Sequence, residues 1–183
     1  YKMTEEEFVF FGNQNIAKGD DKVKVFLYAH IGFFIEVAQM LEFNIRKLLC
    51  YEQSVKEIAE GNIDKNRVTS ICEKYDKYYI GTYNDKLTLG RLINKLDKEC
   101  KIDNNITKTL RDINDFRTKI VHSIFQNNVI SNNLEDVELV KEYVLKRIFP
   151  MIDETITINK KIIEIINKYK YELRNYKQQV GIN

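Results

Sequence analysis

The chain holds one proline, Pro150, and seven glycines among 183 residues. Proline removes a backbone donor, and glycine raises the entropy cost of ordering, so both punctuate regular structure. An all-β sandwich of short strands needs a turn signal every few residues and more breakers than this. A chain so poor in breakers can run in long helices, and its apolar residues show the matching period. From about 22 to 51, Val23, Leu27, Phe34, Ala38, Leu41, Ile45 and Leu48 recur at threes and fours, with more apolar residues on the flanks. A helix apolar over most of its circumference belongs in a core.

Other punctuation divides the rest. Thr4, followed by Glu5, Glu6 and Glu7, reads as a capping box before Phe8, Val9, Phe10 and Phe11, opening a short helix that ends near Gly19. Asp20 and Asp21 place negative charge at the start of the long helix. Ser54-Val-Lys-Glu57 could cap a short helix, and 65–79 could form another. Gly61, Gly81, Asn84 and Asp85 mark turns. Thr88 caps a helix carrying Leu89, Leu92, Ile93 and Leu96, and Asp103 opens one running to about Gln126. After a polar loop, a helix from about Leu134 to Phe149 is ended or kinked by Pro150. The last helix covers about Asp153–Gln178. The expected fold is an all-α bundle of about five to seven helices, one domain over 1–183.

Hydrophobic residues make up 44% of the chain, enough for a core, and charged residues 31%. The 29 basic and 27 acidic residues leave a net charge of only +2, so no strongly basic arm drives partner choice, although a local patch remains open. Cys50, Cys72 and Cys100 are odd in number and lack a CxxC spacing, which points to reduced thiols and a cytoplasmic setting. The apolar run Val25–Ile35 is interrupted by His30 and falls short of the roughly 20 residues that span a bilayer. No signal peptide is visible, and the start at Tyr1 rather than Met points to residues upstream. No His/Cys/Asp cluster has metal-ligand spacing, and no glycine-rich phosphate loop or G-x-S-x-G occurs, so no metal or cofactor is expected.

The helix from Asp103 carries the most specific pattern. Ile106, Leu110, Ile113, Ile120 and Ile124 fall within about 60° of Arg117 at about 100° per residue. Arg117 therefore points near the middle of an apolar stripe. A guanidinium does not deprotonate to escape burial, so it needs a carboxylate, an interface or a cleft. Glu36 and Glu42 on the long helix are both candidate partners. His122 lies about 140° round from Arg117, on a polar ridge with Asp115 and Thr118. RNA carries its own nucleophile, the 2′-hydroxyl. Its cleavage needs a proton acceptor or donor near neutral pH and a cation for charge developing on phosphorus. Histidine and arginine supply these, and Thr118 could orient the imidazole or bind a phosphate oxygen. By spacing alone, the preferred reading is His122 as a surface or capping residue and Arg117 as a structural ion-pair residue.

The string from Leu110 to Phe125, LRDINDFRTKIVHSIF, resembles the signature helix of the HEPN superfamily. The hallmark is Arg-x4–6-His late in an all-helical domain, with an apolar residue before the Arg, here Phe116. The long helix at 22–51 and the Thr88-Leu-Gly-Arg-Leu segment are similar to that family as well. In architecture the resemblance spans about 20–170, and in motif about 110–125. It implies a helical homodimer in which two signature helices face each other across a cleft. It also implies a metal-independent endoribonuclease of a prokaryotic toxin–antitoxin or phage-defence system, with RNA as substrate and an antitoxin or other protein as a further partner. Carried over, Arg117 stabilises the phosphate and His122 is the acid/base. One departure is Thr118, where active members often have Asn, Asp or His. It keeps a second reading open, a non-catalytic helical module that binds a protein or RNA.

His30 reads as a core histidine with its hydrogen bonds satisfied. The segment Lys168–Lys177 interleaves Lys, Arg and Tyr in a pattern that could bind single-stranded nucleic acid. The preferred reading is the solvated end of an amphipathic helix with snorkelling lysines.

Overall fold

The computed structural model describes residues 20–81, 87–100, 102–123 and 136–182. All regular structure among them is helical, as the scarcity of breakers implies. The elements are α1 (Asp20–Ala59), α2 (Lys65–Gly81), α3 (Leu89–Glu99), α4 (Asn104–Ser123), α5 (Val137–Tyr143) and α6 (Phe149–Gln179), with a π turn, Val144–Ile148, joining α5 to α6. The expected helix before Gly19, the turn at Asn84 and Asp85, the polar loop after Gln126 and Ile124 lie outside the described residues.

Helix α1 continues well past the expected end at 51. The apolar stripe does not stop there, because Val55 and Ile58 are buried in register with Leu41, Ile45 and Leu48. Ser54 therefore opens no new helix. Its Oγ, buried, donates to the Cys50 carbonyl one turn back, 2.8 Å away. The chain leaves α1 at Gly61, where the Arg67 guanidinium donates to the Glu57 carbonyl and covers the exposed end of the helix. A methyl group on Gly61 would lie 2.5 Å from Arg67 Cζ.

The helix starts follow their caps. Asp64 Oδ1 accepts from Arg67 N at the start of α2, Asp103 Oδ1 from Asn105 N at the start of α4, and Asp136 Oδ1 from Leu139 N at the start of α5. Thr88 stands at the N-cap of α3 in extended conformation, and its carbonyl accepts from Leu92 N, but its hydroxyl makes no capping bond.

Pro150 does not end a helix. The backbone is helical from Val137 to Gln179, and Pro150 is the second residue of α6. The accommodation comes just before it. Phe149 N–H bonds to the Val144 carbonyl five residues back, so the turn that would meet the proline ring is widened.

The chain divides into two compact units. In one, α1 up to Gln39 packs with Asp112–Ile156. Its buried residues include Leu27, Phe34, Ala38, Ile113, Ile120, Val140, Val144 and Ile148. In the other, Met40–Arg111 packs with Thr157–Asn183. There Val55, Ile58, Val68, Ile71, Cys72 and Leu173 form one cluster, flanked by Tyr51, Tyr75, Tyr169 and Tyr176. Glu52 is also buried in this unit. Its Oε1 pairs with Lys56, and its Oε2 is without a hydrogen-bond partner. Cys100 is a free thiol, pushed up to about 12 by burial and by the Glu52 charge, so it stays protonated.

By length and composition, α1 is apolar enough to cross a membrane, with a mean hydropathy of 1.3 over its most apolar window. The run Val25–Ile35 is shorter than that window, whose average tolerates His30 and Glu36. A core helix passes the same test, and Leu27, Phe34, Ala38 and Leu41 on α1 are fully covered by the rest of the chain.

Candidate functional site

From Asp112 onward, helix α4 is fixed in its unit by its apolar side. Ile113 and Ile120 are buried, and the Phe116 ring meets Phe34 of α1 edge to face, with centroids 5.1 Å apart. Phe116, the apolar residue before Arg117, thus anchors the turn that carries the arginine.

Arg117 is half-buried, as its place on the apolar stripe of the wheel requires. Asp115, Thr118 and His122 are all exposed and form the ridge that the spacing describes. Arg117 and His122 leave the helix axis about 140° apart. Between them on the surface lie Asn114, Thr118 and Val121. Val121 is 50% exposed, a large apolar side chain beside the polar ridge. Sequence reasoning passed over it; at about 40° from Arg117 it borders the apolar stripe on the side of the polar ridge, and that angle was the available signal.

Thr118 has a defined role in the helix. Its Oγ1 donates to the Asn114 carbonyl, 2.9 Å away. The hydroxyl proton is therefore directed along the helix, and the oxygen retains acceptor capacity only. A phosphate oxygen needs a donor, so in this rotamer Thr118 does not offer it one. Of the two carboxylates considered for Arg117, Glu42 is held by Arg46 at 2.9 Å and Glu36 is exposed.

His30 occupies a structural position. Its Nδ1 lies 2.7 Å from the Phe26 carbonyl, a bond that suits an Nδ1–H donor. Its ring packs between Phe26 and Phe149, with centroids 4.2 and 4.9 Å away. Burial lowers its pKa from the ordinary histidine value, and the bond to Phe26 opposes that shift only in part. The neutral imidazole is a packing element.

The basic and aromatic segment near the C-terminus is split by the fold. Leu173 is buried, Tyr169 and Tyr176 pack against the apolar cluster, and Tyr171 is exposed. Two of its tyrosines are thus committed to packing, while Lys170 lies over the Tyr51 ring of α1 and Lys177 lines a cavity beside α1.

Comparison of the chain with family models, with curated proteins and with solved structures found no match.

Proposed function

We propose that the chain is a metal-independent HEPN-like endoribonuclease of a prokaryotic toxin–antitoxin or phage-defence system, acting as a homodimer in the cytoplasm. The observation that carries this reading is the surface of α4. A half-buried Arg117 and an exposed His122 flank one strip of the helix, and Phe116 on Phe34 holds that strip in place. An arginine in partly apolar surroundings binds phosphate more strongly than one in bulk water, because competing hydration is reduced.

In the reaction, the ribose 2′-oxygen attacks phosphorus and the bond from phosphorus to the 5′-oxygen breaks. One proton leaves the nucleophile and one reaches the leaving oxygen, giving a 2′,3′-cyclic phosphate and a 5′-hydroxyl. Imidazole carries either proton near neutral pH. The guanidinium hydrogen-bonds the phosphate oxygens as their charge grows. Because the two side chains diverge on one helix, a two-fold pair of helices is the natural way to bring an Arg117 and a His122 onto one phosphate.

Cleavage of single-stranded RNA in EDTA tests this reading. The wild type is expected to cut and His122→Ala is expected not to. Equal cutting by both, or by neither, removes the catalytic claim.

One observation favours a second reading, a non-catalytic helical module that binds a protein partner or RNA. The Thr118 hydroxyl already donates to its own helix. On that reading His122→Ala leaves binding intact, and changes on the apolar contact face abolish it.

A further inference from the structure

The compact unit formed by Met40–Arg111 and Thr157–Asn183 contains a cavity of about 320 Å³ to which α1, α2 and α3 all contribute. Its apolar wall includes Leu49, Leu87 and Leu92, of which Leu49 and Leu92 are buried. Its polar wall includes Gln53 of α1 and Lys95 and Glu99 of α3. Arg46 and Lys74 also border it and are engaged by neighbours, Arg46 by Glu42 and the Leu87 carbonyl, Lys74 by Glu57.

Lys95 and Glu99 stand one turn apart on α3, with the lysine first, the order that the helix dipole disfavours. The pair is correspondingly loose. Lys95 Nζ lies 3.9 Å from Glu99 Oε2, beyond hydrogen-bond distance, and the ammonium donates to nothing else among the described residues. Glu99 is nevertheless held in place. Gln53 Nε2 donates to its Oε2 at 3.1 Å, and Lys56 Nζ donates to its backbone carbonyl at 2.7 Å. No donor among the described residues reaches Glu99 Oε1.

The fold thus sets an ammonium with three N–H donors beside a carboxylate with open acceptor capacity, both at the edge of an apolar wall. A ligand that satisfies them has a flat, largely apolar body and an edge on which an acceptor adjoins donors. It needs no net charge, because a cation and an anion face it together. Guanine has this edge. Its N1–H and N2–H are adjacent donors for the two oxygens of one carboxylate, and O6 beside them accepts from an ammonium. Adenine and cytosine each offer a carboxylate a single amino group there. The volume, near the lower end of the roughly 300–1,000 Å³ usual for ligand pockets, suits one base and part of its sugar.

We propose that this cavity is a guanine-binding site, in which Glu99 accepts from N1–H and N2–H, Lys95 donates to O6 and the ring lies against Leu49 and Leu92. Gln53 is a positioning residue that holds Glu99. The shared chemistry is the guanine base, of a free nucleoside or of an RNA strand. The site belongs to the compact unit that does not contain Arg117 or His122, so it stands independently of the cleavage reading.

Titration of the nitrogen-15-labelled full chain, followed by amide NMR shifts, tests the site. The probes are guanosine, inosine, adenosine, leucine, and an oligouridylate of about six residues with and without one guanine. Guanosine is expected to give saturable shifts centred on Gln53, Leu92, Lys95 and Glu99. Inosine, which lacks the 2-amino group, and adenosine are each expected to bind about tenfold more weakly or worse, the scale of a lost charge-assisted hydrogen bond. Glu99→Gln and Lys95→Met are each expected to weaken guanosine by about tenfold or more while Tm remains that of the wild type. If the strand with guanine binds at these residues at least as tightly as guanosine, the base is read within RNA; if more weakly, as a free nucleoside. Equal affinity for guanosine and either other nucleoside overturns the proposal. So do shifts centred outside the cavity, an unchanged affinity in either variant, strands that bind there equally with and without guanine, or no saturable guanosine shift at about 2 mM. Leucine binding at these residues more tightly than guanosine overturns it too, and assigns the head group to a zwitterion. If a variant fails to fold, the wild-type comparison among the probes decides.

Discussion

At the scale of single residues, Arg117 and Thr118 are neighbours with different prospects. The guanidinium has five N–H donors and a fixed charge, whereas the single donor of Thr118, its hydroxyl, is committed to the Asn114 carbonyl. On the catalytic reading, Arg117→Ala is expected to lower kcat by about 100-fold or more, as loss of an oxyanion donor does. Thr118→Ala is expected to lower it less than about tenfold, since it removes an acceptor and a bond internal to the helix. Single-turnover cleavage measures both, and a larger loss for Thr118→Ala would assign its hydroxyl to the substrate. His30 makes a different prediction. Its folded pKa lies below the ordinary value of 6.5, so the unfolded chain binds the proton more readily. Its contribution to stability is complete above 6.5 and is lost as pH falls through that value toward the folded pKa. Between about pH 7.5 and 5.5, His30→Gln is expected to show a shallower decline of urea midpoint than the wild type.

At the scale of elements, the ends of the helices were more legible than their continuity. Asp103 announces α4 because capping is local chemistry, a carboxylate bonded two residues on. Ser54 misleads for the same reason. A serine before an acidic residue resembles a cap, but Val55 and Ile58 continue the buried face and the helix runs through. Pro150 marks a real disturbance, but it falls where a π turn gives the ring room, so α5 and α6 remain joined. The end of α1 depends on a contact no local pattern contains, the Arg67 guanidinium on the Glu57 carbonyl. Gly61→Ala is expected to push that side chain off the helix end and cost about 1 kcal/mol. In Arg67→Ala, where nothing obstructs the methyl group, the same glycine substitution should cost clearly less. A double-mutant cycle in urea measures the difference, and additive costs would show that Arg67 is not what constrains Gly61.

At the scale of the whole molecule, a net charge of +2 leaves recognition to local arrangement rather than to a global field. The candidate site on α4 is one such arrangement, within its own compact unit. If the α4 strip is the floor of a dimer cleft, Val121→Asp is expected to shift sedimentation from dimer to monomer and to abolish RNA cleavage together. A dimer that persists and still cuts would place the interface elsewhere.

The sequence by itself determined the helical class, the position of α4, and the faces on which Arg117, Thr118 and His122 stand. Helices are built from hydrogen bonds four residues apart, so period and capping residues contain that information. Only the tertiary structure decided that α1 continues through Ser54, that Glu52 and Cys100 are buried in the same unit, and that Lys47 and Lys177 line one cavity. Those outcomes depend on which helical faces meet, and residues far apart in the chain become neighbours only through packing.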